Sequence, residues 1–115
     1  MRIVFGEKRA LGPGKADLLT AIAAHGSIAA AGRAMGMSYQ RAWSLVDELN
    51  TMFREPLVSS SRGGSTRGGA ALTDVGKLVL DRYRAIEDAT ASMCEKQIDE
   101  IASLTRQESD ISGHR

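Results

Sequence analysis

One stretch, Gly26-Ser27-Ile28-Ala29-Ala30-Ala31-Gly32-Arg33-Ala34-Met35-Gly36-Met37-Ser38-Tyr39-Gln40-Arg41-Ala42-Trp43, most limits the folds open to this chain. Gly26 suits the end of a helix, because glycine takes positive φ without a Cβ clash. Ser27 can cap the next helix, residues 28–35, by accepting from a first-turn N–H. Gly32 and its neighbouring alanines let another helix cross closely. Gly36 makes a turn, Met37 points inward, and Ser38 caps a third helix from Tyr39 to about Met52. Two helices set about a tight glycine turn form a helix-turn-helix.

The flanks extend this unit. Arg2-Ile3-Val4-Phe5-Gly6 is β-branched and aromatic, which predicts a strand. Leu11-Gly12-Pro13-Gly14 reads as a turn into a first helix over residues 15–25, with Leu18, Leu19, Ile22 and Ala23 on one face. The third helix carries an apolar stripe of Ala42, Leu45 or Val46, Leu49, and Met52 or Phe53. Glu55-Pro56 closes it, since a residue before proline avoids the α region. Leu57-Val58-Ser59 and Ala70-Ala71-Leu72-Thr73 then predict two short strands, joined by the glycine-rich, basic loop of residues 60–69. A hairpin in that place makes a wing.

Thr73 or Asp74 can cap a last helix with no breaker from Val75 to about Leu104. Val79, Tyr83, Ile86, Thr90, Met93, Gln97 and Leu104 approximate a heptad seam, with Ile98 and Ile101 alongside. Thirty residues make about 45 Å of helix. A small domain cannot bury that length alone, so a homodimer is expected. The predicted fold is thus mainly α with a small β-hairpin wing. Residues 1–73 form the winged helix-turn-helix, 74–106 a long dimerisation helix, and 107–115 a polar tail expected to fray.

Net charge is only +1, but it is segregated. Residues 1–84 hold 12 Lys/Arg against 7 Asp/Glu, a net of +5, and residues 85–115 hold 3 against 7, a net of −4. The anionic partner therefore belongs with the first part. With aromatics at 4%, core volume must come from aliphatics, Met and Ala, which suits close-packed helices. No run approaches the ~20 apolar residues of a membrane span, and residues 1–11 lack the apolar core of an export signal, so a cytoplasmic location is expected. The one cysteine, Cys94, cannot make an internal disulfide.

An enzyme would need converging polar groups, and the sequence offers none. Asp47-Glu48 and Asp99-Glu100 are neighbours on helix surfaces, about 100° apart, and do not converge. His25, His114 and Cys94 lack metal-ligand spacing. His25 suits a helix C-terminus, Met35 and Met37 suit core filling, and Cys94 suits packing. The glycine-rich loop lacks the G-K-[ST] ending of a P-loop.

The second helix of a helix-turn-helix can enter the DNA major groove. Tyr39, Gln40, Arg41 and Ser44 lie on its outward first turns. Arg41 could pair with guanine and Gln40 with adenine. Ser27, Ser38 and Ser44 suit phosphate contacts, as do Arg62, Ser65, Thr66 and Arg67 of the wing. Arg33 reads either as a phosphate contact or as a surface charge, and Trp43 either as packing or as a DNA contact. The rival class is a protein-interaction module that keeps the winged helix without binding DNA; a basic wing is not required for that role.

From Gly26 to about Tyr83 the sequence resembles the DNA-binding domain of ModE-type molybdate-responsive transcription regulators. The resemblance rests on Gly26-Ser27-Ile28, Ser38-Tyr39-x-x-Ala42-Trp43, Asn50, the wing ending Gly68-Gly69-Ala70-x-Leu72-Thr73, and Gly76. The helix-turn-helix also resembles that of LysR-type regulators. This resemblance implies a dimeric DNA-binding regulator of double-stranded operator DNA, with an inverted-repeat site and repression by occlusion as the simplest mechanism. Full-length members carry C-terminal molybdate-binding domains, and this chain ends where those would begin. Molybdate is thus implied only by the family, and no cofactor is expected in this chain.

Overall fold

A computed structural model describes residues 1–60 and 69–106. Two compact units emerge, Met1–Arg84 and Ala85–Arg115.

The first unit opens with the predicted strand, joined to a second, unpredicted one in a hairpin. Strand β1 (Ile3–Gly6) pairs antiparallel with β2 (Arg9–Leu11), Ile3 opposite Leu11 and Val4 opposite Ala10. Its turn places Lys8 at φ 61° and lacks the Asn-Gly or Asp-Gly signal that announces most tight hairpins. Leu11, expected in a turn, is a buried strand residue.

Helix α1 (Pro13–His25) begins two residues earlier than predicted, with proline in its first turn where a missing N–H costs nothing. Gly26 ends it at φ 72°, its N–H donating to the Ile22 carbonyl at 2.8 Å. Ala16, Leu18, Leu19 and Ile22 are buried, whereas Ala23 is exposed, contrary to expectation. Ala23 lies on the same side as Ala16 but about two turns on, beyond the neighbours that cover Ala16.

Helix α2 (Ile28–Ala34) starts at Ser27, whose Oγ accepts from the Ala30 N–H at 2.9 Å. At its far end the Met37 N–H reaches the Gly32 carbonyl and the Gly36 N–H the Arg33 carbonyl, a Schellman closure with Gly36 at φ 71°. A Cβ on Gly32 would stand 3.1 Å from that of Ala42, so the predicted close crossing is present. Helix α3 (Tyr39–Met52) buries Ala42, Leu45, Val46 and Leu49. Both alternatives at 45 and 46 are therefore core, and Met52 and Phe53 are half-buried.

Strands β3 (Val58–Ser60) and β4 (Ala70–Leu72) pair antiparallel as expected, Val58 opposite Leu72. The Ala70 N–H donates to the Gly26 carbonyl, tying β4 to the end of α1. The loop residues Arg62, Ser65, Thr66 and Arg67 lie outside the described residues, as does the 107–115 tail.

Thr73 Oγ1 accepts from the Gly76 N–H and donates to the Pro56 carbonyl, so Thr73 is the cap of helix α4 (Asp74–Met93). The uninterrupted last helix is not observed. Cys94, at φ −108° and ψ 15°, separates α4 from α5 (Glu95–Ala102). Thr90, Ser92 and Cys94 crowd this point with weak helix formers. Leu104 lies beyond α5.

Tyr83 also departs from expectation. It is buried in the core of its own unit with Leu18, Leu19, Ile22, Val46, Leu49 and Leu57, and its hydroxyl donates to the Met1 carbonyl. It therefore does not belong to an exposed seam. Val79 is half-buried against the same core.

Candidate nucleic-acid interface

The first turns of α3 divide by helical period. Ala42, Leu45 and Val46 face the core, and Ser38, Tyr39, Gln40, Arg41 and Ser44 are all exposed. Ser38 Oγ accepts from the Arg41 N–H at 3.1 Å, which fixes where the helix begins. As a hydroxyl it keeps its own proton to donate outward. Ser27, half-buried, is in the same position at the start of α2. Arg33 is exposed near the end of α2.

Trp43 is half-buried and packed against the core, with Tyr39 edge-on to it at 6.1 Å between ring centroids. That favours the packing role among the two left open by sequence. Its Nε1 is buried without a hydrogen-bond partner. The pair props the exposed Tyr39 ring against the helix it leads.

The positioning of α3 depends on a residue whose part was not read from spacing. Asn50 Oδ1 accepts from the N–H groups of Leu57 and Val58 at 2.8 and 3.0 Å, and its Nδ2 donates to the Val58 carbonyl. One side chain thus clamps α3 to the start of β3. An asparagine eight residues before a strand carries no local signal that would reveal this.

Sequence reasoning also overlooked Arg2 and Lys15. They line a cavity of about 350 Å³ together with Arg41 and Gly12, Gly14 and Leu45. Lys15 Nζ donates to the Ala10 carbonyl at 2.9 Å and lies 3.5 Å from Glu48. Arg2 and Arg41 have no ion-pair partner among the described residues. The signal was hidden because the hairpin that brings Arg2 here was itself missed.

Of the predicted dimer contacts, Ile86, Thr90, Met93, Gln97, Ile101 and Leu104 are exposed. Among the described residues there is no cluster of three or more His, Cys, Asp or Glu able to hold a metal, and no helix long and apolar enough to cross a membrane.

Residues 15–77 match the family described as "Bacterial regulatory helix-turn-helix protein, lysR family". The resemblance to ModE-type regulators is met by curated relatives. Molybdenum-pterin-binding protein MopA of Rhodobacter capsulatus is 36% identical, over 87% of this chain and 42% of that protein. Molybdenum transport protein ModE of Azotobacter vinelandii is 35% identical, over 84% and 36% respectively. The chain spans less than half the length of these relatives. Among solved structures, the CbnR DNA-binding domain in complex with DNA aligns with a TM-score of 0.62 at 19% identity, over 79% of this chain and 99% of that one. At such low identity the likeness concerns the fold, a winged helix-turn-helix. Taken with the glycine turn, the capped third helix and the strand pair after it, the match over residues 15–77 means that the chain belongs to the bacterial regulatory helix-turn-helix proteins of the lysR family.

Proposed function

We propose that this chain is a sequence-specific DNA-binding transcription regulator of the bacterial cytoplasm, and not an enzyme, acting as a homodimer on an inverted-repeat operator. The observation that carries the reading is the split face of α3: its core side is locked by Ala42, Leu45 and Val46, while Ser38 to Ser44 offers an exposed polar and basic side. Exposed side chains on the first turns of such a helix reach base edges when it lies in the major groove. Ser27, Arg33, Ser38 and Ser44 would hold phosphates, with Arg62, Ser65, Thr66 and Arg67 of the wing loop. In this reading residues 1–73 bind DNA and 74–106 join two subunits. No molybdate site is assigned to this chain.

Selection of bound fragments from a random oligonucleotide pool tests recognition, symmetry and spacing at once. The expected product is a palindromic site whose half-sites are one or more helical turns apart. Affinity for mixed-sequence DNA should also fall about a hundredfold or more between low and moderate salt, given a handful of phosphate contacts. An unenriched pool with a flat salt response would instead mark a protein-interaction module.

A further inference from the structure

The cavity beside Arg41 joins three cationic side chains from three parts of the first unit: Arg2 before β1, Lys15 in the first turn of α1, and Arg41 in the first turn of α3. No carboxylate is among its lining residues. Glycine and aliphatic residues complete the wall, Gly12, Gly14 and Leu45 among them. Arg2 is exposed, yet its stem lies over Gly12, with Cγ 3.6 Å from where a Cβ would stand.

We infer that Arg2, Lys15 and Arg41 form a seat for one backbone phosphate of the duplex, so that Arg41 holds the backbone rather than reading a base. This rests on the DNA-binding function proposed above. Three cations share one nearby carboxylate, Glu48 beside Lys15, so a net positive charge remains, and an oxyanion among them converts the remaining repulsion into attraction. Glu48 stands 3.5 Å from the Lys15 ammonium but outside the lining, and with one proton on the Ala10 carbonyl and one toward Glu48 the ammonium has a third to donate. The guanidinium forks of Arg2 and Arg41 match a phosphate's paired oxygens. A free oxyanion offers the same chemistry. The duplex is the favoured source because Arg41 belongs at once to the cavity and to the exposed face of α3, next to Gln40. The N-terminal hairpin then becomes a DNA-orienting element, and Gln40 and Tyr39 are left to read bases.

The test compares the full chain with Arg2→Gln, Arg2→Lys and Arg41→Gln, on a mixed-sequence duplex and on the selected operator, over a salt series. Circular dichroism verifies that each variant folds, as exposed positions should allow. Arg2→Gln and Arg41→Gln should each lower the log–log salt slope, by at most about one per half-site, and weaken both duplexes by the same factor. Arg2→Lys should keep the slope. Ethylating a single operator phosphate should erase the difference between the full chain and Arg2→Gln. An unaltered slope in Arg2→Gln, with steep salt dependence in the parent, would overturn the seat and leave DNA binding standing. Loss of operator affinity alone in Arg41→Gln would return Arg41 to base reading. Binding of inorganic phosphate that is lost in Arg2→Gln, with DNA affinity unmoved, would replace the duplex by a free anion and overturn the proposal. A parent chain with no salt-dependent DNA affinity would remove both this seat and the function it rests on.

Discussion

The two halves of α4 serve opposite ends. Its first half gives Gly76 and Tyr83 to a closed core, and the unit up to Arg84 contains every residue of that core. Past Ala85 no described residue is buried, and Met93, Ile101 and Leu104 are 83%, 66% and 84% exposed. Isolated helices are marginal in water, and their stability in proteins comes mostly from an apolar face that packs. One half therefore carries its own reason to fold, and the other presents apolar side chains that no described residue covers. A helical pattern in sequence does not say where its apolar face will be met. Substitutions in the two regions should differ in kind as well as in size.

Gly76→Ala should have the largest effect. A Cβ there would stand 2.1 Å from the Leu57 carbonyl oxygen, and backbone cannot swing aside as a side chain can. Overpacking ordinarily costs about 1–3 kcal/mol. A clash this deep, at the seam between α4 and the strand below it, should reach or exceed the top of that range. Urea unfolding would measure it. A loss under about 1 kcal/mol would mean that α4 is not held against Leu57 as described, and the self-sufficient half would lose its distinction.

Asn50→Ala comes next. It removes the acceptor for two backbone N–H groups and the donor to Val58, and each unsatisfied buried group costs about 1–3 kcal/mol. Partial access to water at this half-buried site should hold the total near 2 kcal/mol. DNA affinity should fall by more than stability explains, because the wing strand loses its tie to α3. Equal loss of affinity and stability would show that Asn50 supports the fold without orienting the wing.

Legibility followed the same divide. Local signals were enough where one residue type has one physical use. Ser27 and Ser38 as caps, Gly26 and Gly36 as turn residues, and Gly32 as a crossing point are all readable from the amino-acid sequence. The α3 stripe was readable too, because its period is set by the helix itself. The first hairpin escaped because Arg9-Ala10-Leu11 is too short to show alternation and its turn uses a lysine at positive φ. Tyr83 was drawn into the seam because heptad spacing cannot tell a partner's face from the domain's own core. Arg2 and Lys15 were invisible as site residues for a third reason: what gathers them with Arg41 is tertiary, from segments up to 39 positions apart.

The smallest effect on unfolding should come from Ile101→Ser combined with Ile98→Ser. Both residues are exposed, at 66% and 49%, so neither contributes to the core formed by the described residues. Exposed substitutions usually stay within about 0.5 kcal/mol, and the unfolding of the first unit measured at high dilution should hardly move. Association should respond differently. If those side chains are the face that a second subunit covers, the double variant should be a monomer by mass at concentrations where the parent is a dimer. Its affinity for the selected palindrome should fall toward that for a single half-site, while the salt slope per half-site is kept. A variant that remains a dimer would place the subunit contact elsewhere, on Ile86 and Met93 or outside this helix. The contrast between the two halves of α4 would then concern burial alone and say nothing about assembly.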